Sequence, residues 1–311
     1  MKKTLSLFAF MAMLISSTWA YSFSAVASSG QTLYYNIISP NTVSVTSPNG
    51  IAQNWDQCWS GYTEPSGSLV IPSSVIYNGI QYLVTAIGDD AFKGCDLIQS
   101  VTIPNTVTII VNDGFCGCIG LTSVTIPNSV TTIEHHAFAG CRGLTSVTIG
   151  DFVTTIGNNA FEDCRSLTSV TIGNSVSSIG NQAFLYCTLL TNITMKCFPP
   201  AITSSTFTNV PVNANISVPC GSLSAYQTTA YWSNFTHFVE RCVTITTSVN
   251  DMTLGVVTGG GSYSIGDNVT LTAIPFAGAR FIGWSNGILQ NPLSFTATQN
   301  ETYTAICLIR K

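Results

Sequence analysis

Eleven cysteines and three histidines are the residues best able to do chemistry in this 311-residue sequence. Several thiolates and imidazoles that converge bind zinc, and a thiolate beside a histidine makes a nucleophile. The spacing argues against both. Cys95, Cys118, Cys141, Cys164 and Cys187 stand 23 residues apart, one to a period. A zinc site needs a close Cys/His cluster rather than one ligand per period. Thiols spaced in this way are expected to pack as small apolar side chains. His135 and His136, beside Glu134, are the only histidine pair. In other periods the same place holds Asp89-Asp90, Asn112-Asp113, Asn158-Asn159 and Asn181-Gln182. It reads as a turn that accepts polar residues. Any Ser-His-Asp or Cys-His set would need His237 or that turn pair. No repeated strand presents paired carboxylates at its end, and Gly259-Gly260-Gly261 lacks the Lys and the following helix of a phosphate loop. The sequence predicts no catalytic residue, no metal and no cofactor, and so no enzyme.

Cys197 and Cys220 are also 23 apart, on the runs Ile193-Thr194-Met195-Lys196-Cys197 and Ile216-Ser217-Val218-Pro219-Cys220. Neighbouring strands would bring them within disulfide reach, so they are the expected bridge, with Cys242 competing for Cys220. Cys58, Cys116 and Cys307 have no evident partner in the sequence.

Behind the cysteines lies a repeat. Phe92, Phe115, Phe138, Phe161, Phe184 and Phe207 keep the 23-residue step, as do Ile87, Ile110, Ile133, Ile156, Ile179 and Ile202, and Val84, Val107, Val130, Val153 and Val176. Within a period, Val124-Thr125-Ile126 alternates as a short strand with Val and Ile inward and Thr outward. Val130 and Ile133 line a return path, and Ala137-Phe138 close the coil. A single coil cannot bury these side chains, whereas stacked coils bury them as ladders. The sequence predicts a solenoid of 23-residue coils with a parallel sheet. Tyr34-Tyr35-Asn36-Ile37 and Thr42-Val43-Ser44-Val45 flank Ser39-Pro40-Asn41 as a hairpin, which suits a terminal cap. After Cys242 the period stops. Alternating runs at 269–273, 280–284 and 303–306, separated by Gly- and Asn-rich turns, predict a small all-β module. The chain divides into a leader (1–27), an N-terminal cap (28–68), the solenoid (69–242) and the module (243–311).

The leader is read from Lys2 and Lys3 followed by the apolar run 5–15, which is too short to span a bilayer as a helix. Ala20 lies at the usual distance from that run, whereas Ala25-Val26-Ala27 fits the small-x-small rule better. No later run is apolar enough for a membrane span, so a secreted or cell-surface protein is expected. Only 8% of residues are charged against 45% apolar, so the surface must be built from Ser, Thr, Asn and Gly. Without Lys2 and Lys3 the remaining 8 basic and 14 acidic residues give −6. That balance supplies no basic face for nucleic acid.

The repeat Leu121-Thr122-Ser123-Val124-Thr125-Ile126-Pro127…Val130…Ile133…Ala137-Phe138…Cys141 resembles the BspA-like leucine-rich repeats of surface proteins from oral and gut anaerobic bacteria. Gln31 to Ile38 is similar to the N-terminal segment of such proteins, and Val218 to Leu223 with Tyr226, Trp232 and Phe235 to their exit segment. Gly266-Asp267-x-Val269-Thr270-Leu271-Thr272-Ala273 and Gly283-Trp284-Ser285 resemble the divergent internalin B-type repeat. The resemblance implies a mainly β, leucine-rich-repeat solenoid. It also implies adhesion to a protein or glycoprotein of the host matrix or of other bacteria. A structural cell-envelope component and a non-catalytic glycan-binding protein are the alternatives. The outward strand residues Ser123, Thr125, Ser146, Thr148, Ser169 and Thr171 form the candidate binding stripe, an uncharged hydroxyl face.

Overall fold

A computed structural model describes residues 21–50 and 58–310. Lys2, Lys3, the apolar run 5–15 and Ala20, on which the leader is read, lie outside the described residues. The described chain forms two compact units, one of residues 21–50, 58–191 and 200–211, the other of 192–199 and 212–310. Among the described residues no helix is long and apolar enough to cross a membrane.

The first unit holds the solenoid. Strands β1 (Phe23–Val26), β2 (Thr32–Ser39) and β3 (Thr42–Thr46) form an antiparallel cap. After β4 (Gly67–Val70), a hairpin of β5 (Ser74–Tyr77) and β6 (Ile80–Ile87) turns at Asn78-Gly79, both at positive φ. Each following coil adds a longer strand and a two-residue strand. These are β7 (Ile98–Thr102) with β8 (Ile109–Ile110), β9 (Ser123–Ile126) with β10 (Thr132–Ile133), β11 (Ser146–Ile149) with β12 (Thr155–Ile156), and β13 (Ser169–Ile172) with β14 (Ser178–Ile179). The long strands stack in register as one parallel ribbon, with Val147 against Val124 and Ile149 against Ile126. The short strands stack as a second, with Ile87, Ile110, Ile133, Ile156 and Ile179 in line. The sequence pattern does not predict this second ribbon. β3 pairs parallel with β6, so the cap continues it.

The core lies between these ribbons and the turn that closes each coil. Val124 and Ile126 face inward and Thr125 outward, following the pleat. Phe92, Phe115, Phe138, Phe161 and Phe184 are fully buried, with neighbouring rings 5.0–5.3 Å apart and within 15° of parallel. Phe207 continues the stack at 5.2 Å from Phe184 but is only half-buried. Trp59 covers the other end, 6.4 Å from Phe92. Two left-handed positions make each turn. Asp90, Asp113, His136, Asn159 and Gln182 take the first, at φ 53–59°, and Gly94, Gly117, Gly140, Asp163, Tyr186 and Asn209 the second. Coil spacing is tight where the long strand ends. A Cβ on Gly173 would sit 2.1 Å from the Gly150 carbonyl oxygen, so no larger residue fits without moving backbone.

In the second unit, β15 (Asn192–Met195), β16 (Asn215–Pro219) and β17 (His237–Val249) pair in parallel. A short helix, α1 (Leu223–Thr228), precedes β17, and Glu240 accepts the Leu223 N–H at 3.0 Å. Tyr226 on α1 is buried against Trp232 and donates its hydroxyl to the Cys197 carbonyl at 2.9 Å. Beyond these lie β18 (Gly255–Thr258), β19 (Gly261–Ser264), β20 (Asn268–Pro275), β21 (Ala279–Trp284), β22 (Leu293–Thr296) and β23 (Glu301–Ile309). They pack around Val243, Ile245, Leu271, Trp284 and Tyr303. β17 pairs with β16 through residue 241 and with β19 and β23 from 242 onward. Position 242/243, the expected module boundary, therefore falls inside one unbroken strand.

The disulfide joins Cys220 to Cys242, with Cα atoms 4.9 Å apart, and Cys197 is a buried free thiol. The expected Cys197–Cys220 bridge is corrected. β15 ends at Met195, and Cys197 turns into the core below α1. On the other side β17 keeps its register with β16, Pro219 against Arg241, which brings the next pair of residues, both cysteines, together.

Phe138 is fully buried with a stacked ring on both faces, whereas Phe207, the last ring of the ladder, is only half-buried. Phe138→Ala should destabilise the protein by roughly 3–5 kcal/mol and Phe207→Ala by clearly less, as denaturant melts of both variants will show. Equal, small losses would contradict the ladder.

Candidate binding surface

The polar side chains of the first unit fall into columns, and most columns are consumed by the fold. Thr122, Thr145 and Thr168 each donate a hydroxyl to a carbonyl one coil earlier, those of Gln99, Thr122 and Thr145, at 2.9–3.1 Å. Thr108, Thr131, Thr154 and Ser177 do the same beside the second ribbon, at 3.1–3.2 Å. The turn column is a third ladder. Asn112 Oδ1 accepts the His135 N–H at 3.2 Å, His135 Nδ1 accepts the Asn158 N–H at 3.1 Å, and Asn158 Oδ1 accepts the Asn181 N–H at 2.8 Å. His135 thus serves as an asparagine would, and His136 is one of the left-handed turn residues. The polar-turn reading of the pair agrees with this geometry.

The cysteine ladder also forms hydrogen bonds. Cys118, Cys141, Cys164 and Cys187 are fully buried, and each donates its S–H to the carbonyl of a ladder Phe: Phe92, Phe115, Phe138 and Phe161, at 3.1–3.3 Å. Cysteine suits the place because it is small and apolar yet carries a weak donor. Burial pushes the Cys141 and Cys187 thiols up to about 12, and Cys118 and Cys164 well above the ordinary range. Nothing in the sequence pattern marks these thiols as donors.

The candidate stripe behaves differently. Ser123, Thr125, Ser146, Thr148, Ser169 and Thr171 sit side by side on β9, β11 and β13, Ser on Ser and Thr on Thr. All are exposed or half-buried, and none of the six hydroxyls has a hydrogen-bond partner among the described residues. In a chain that consumes its neighbouring hydroxyl columns, this one is left free to donate and accept. No side chain in the stripe carries a charge.

The charges gather elsewhere in the first unit. A groove of about 780 Å³ runs along the turn face over Gly94, Gly117 and Gly140, with Glu64 and Asp96 on its lining and Arg142 and Asp163 beside them. Arg142 reaches Asp163 at 2.8 Å and Arg165 reaches it at 2.5 Å. Burial alone would raise the Asp163 carboxyl, but the two guanidiniums outweigh it and hold it below the usual carboxylate range.

Residues 85–214 match the BspA type leucine rich repeat region in six copies. These residues form a BspA-type leucine-rich repeat array. Residues 245–306 match the divergent InlB B-repeat domain, so that repeat follows the array within the second unit. No curated protein matches the chain. Among solved structures it is similar to a leucine-rich repeat protein from Bacteroides ovatus, at 27% identity over 60% of this chain and 48% of that one, with a TM-score of 0.45. It thus spans about half of that protein's length. It is also similar to the T. pallidum leucine rich repeat protein, at 23% identity over 67% of this chain and 80% of that one, with a TM-score of 0.44. A leucine rich cell surface protein from Faecalibacterium prausnitzii is 21% identical over 64% of this chain and 71% of its own, with a TM-score of 0.35.

The BspA-type ladder predicts a clear thiol map. At pH 8 the native protein should leave Cys118, Cys141 and Cys164 unlabelled by a thiol reagent, because burial excludes the reagent and holds the reactive thiolate form back. Denaturation should expose all three, and peptide mapping should find the only bridge between Cys220 and Cys242. Rapid native labelling of Cys141 would refute the packing.

Proposed function

We propose that this protein is an exported interaction protein that binds a macromolecular partner, a protein or glycoprotein, through the hydroxyl face of its long-strand ribbon. The observation that carries the reading is the row of six hydroxyls left without intramolecular partners, while the adjoining threonine columns are used up between coils. A flat row of free donors and acceptors on stacked strands can meet a partner's polar groups without moving backbone. The repeat type supports a protein-interaction role and a place at the cell surface, and the leader read at the N-terminus supports export. We read the chain as a binder rather than an enzyme because the His135 imidazole and the ladder thiols are taken up by hydrogen bonds between coils. The partner is sought on host matrix proteins and neighbouring bacteria.

Replacing Thr125, Thr148 and Thr171 together by Lys tests the face. The three positions are cross-strand neighbours, so like charges would stand side by side. The stability loss should be only about 1–3 kcal/mol, since each cross-strand penalty is below about 1 kcal/mol, while saturable binding should be abolished. Binding by the unmutated protein should change little between low and high salt, because the stripe offers no charge to screen. Unchanged affinity in the triple variant would move the site to the turn-face groove or to the C-terminal repeat. Self-association in place of saturable binding would favour a structural envelope role. Affinity for polysaccharide alone would make the protein a glycan binder.

A further inference from the structure

We propose that the leader is removed after Ala20, so that Tyr21 is the first residue of the exported chain and the cap begins there rather than at residue 28. The inference rests on reading residues 1–20 as an export leader. The sequence offers two ends for that leader. Thr18 and Ala20 place small residues three and one before the cut, and Ala25 and Ala27 do so seven residues later.

The two cuts differ in the chain they leave behind. Residues 21–27 belong to the folded cap. β1 pairs antiparallel with β2, Phe23 against Tyr35, Ser24 against Tyr34, Ala25 against Leu33 and Val26 against Thr32. The Ser22 N–H donates to the Tyr35 carbonyl at 2.8 Å, and Ser22 Oγ accepts the Ile37 N–H at 3.1 Å. The Phe23 ring is 5% exposed and stacks on Tyr77 at 4.3 Å and on Tyr35 at 5.3 Å. Tyr21 packs edge-on against Tyr34 at 4.6 Å. Ala27, which would be the last leader residue of the longer form, is 6% exposed and donates its N–H to the Gln31 carbonyl.

A cut after Ala27 would therefore remove a strand. It would strip the outer edge of β2 of its partner and uncover Leu33 and Tyr35, both fully buried. It would also leave Tyr77 without its stacked ring. A cut after Ala20 removes none of these contacts. Once β1 has paired, the Ala25-Val26-Ala27 site is locked in a ladder and a buried turn, out of reach of a peptidase that needs an extended substrate. The earlier site lies ahead of β1, and on its C-terminal side the described contacts begin with Tyr21 and Ser22. In the reaction, water adds across the Ala20–Tyr21 amide, leaving a carboxylate on Ala20 and an amine on Tyr21.

Two measurements test this. The full-length gene is expressed in a bacterium, and the exported protein is collected for intact mass and N-terminal sequencing. Tyr21 is expected at the first cycle. Ser28 there, or an exported chain that keeps its leader, overturns the proposal. In parallel, chains beginning at Tyr21 and at Ser28 are purified and melted. The shorter chain should melt lower by roughly 5–10 °C and bind a dye for exposed apolar surface. Equal melting and no dye binding would show that residues 21–27 are dispensable to the cap and would remove the structural reason for the site.

Discussion

No coil of the solenoid can satisfy its own backbone, and each is completed by its successor at a fixed offset. The Phe115 N–H finds the Ala137 carbonyl, Gly117 finds Ala139, and Phe138 finds Ala160, each 22 positions along. Buried N–H and C=O groups must be paired, so a coil that slipped by one residue would break all of these bonds together. Side chains obey the same constraint. The threonine hydroxyls reach 23 positions back and the cysteine thiols 26. A sequence period of 23 without insertion lets every coil offer the same acceptors to the next. The constraint also explains the residue types. Phe stacks flat on Phe at about one coil spacing, whereas a branched aliphatic side chain there would leave gaps.

The same constraint sorts the polar surface. Serine and threonine occur in several columns of each coil, and composition makes them look alike. Columns that lie over a carbonyl of the previous coil are spent on holding the stack. The stripe on the long strands faces outward, its backbone is satisfied within the ribbon, and its six hydroxyls on β9, β11 and β13 have no hydrogen-bond partner among the described residues. Charge is kept off this stripe and gathers on the turn face, where Arg142, Asp163 and Arg165 pair with one another and Lys93 bridges Asp90 and Asp113. The molecule thus presents a neutral lattice on the long strands and a charged groove on the turns.

The period, the inward Phe, Ile and Val columns, the cap hairpin and the all-β tail were legible in the sequence because each is a repeated or alternating signal. Features that depend on single contacts were not. The second ribbon escaped because Thr132–Ile133 and its counterparts are two residues long, too short to alternate. The thiol donors escaped because a buried cysteine looks the same in sequence whether its S–H is bonded or idle. The disulfide was misassigned because spacing was equated with register. Spacing holds only while the strand lasts, and Cys197 lies beyond the end of β15, whereas Cys242 remains inside β17. The stripe residues were legible as outward-facing. That their hydroxyls are free could be seen only once the neighbouring columns were known to be bonded.

A periodic face poses a problem for recognition. If every coil offers the same Ser and Thr, a partner displaced by one coil meets nearly the same surface, and the face alone cannot fix a register. Specificity must come from residues that break the period. Phe152 is one: it stands where other coils have Thr106, Ser129 and Ser175, it lies just past the end of β11, and it is 62% exposed. The groove holds others. Its left-handed floor position is Gly in three successive coils, but Asp163, Tyr186 and Asn209 adopt the same backbone in the next three. The backbone therefore does not demand glycine there, and the open floor at Gly94, Gly117 and Gly140 comes from the absence of side chains. The hydrogen-bonded ladders fix the lattice, and these few departures from it distinguish one end of the array from the other. A partner bound in one register must read the lattice and the departures together, which ties affinity to the number of coils and selectivity to a handful of residues.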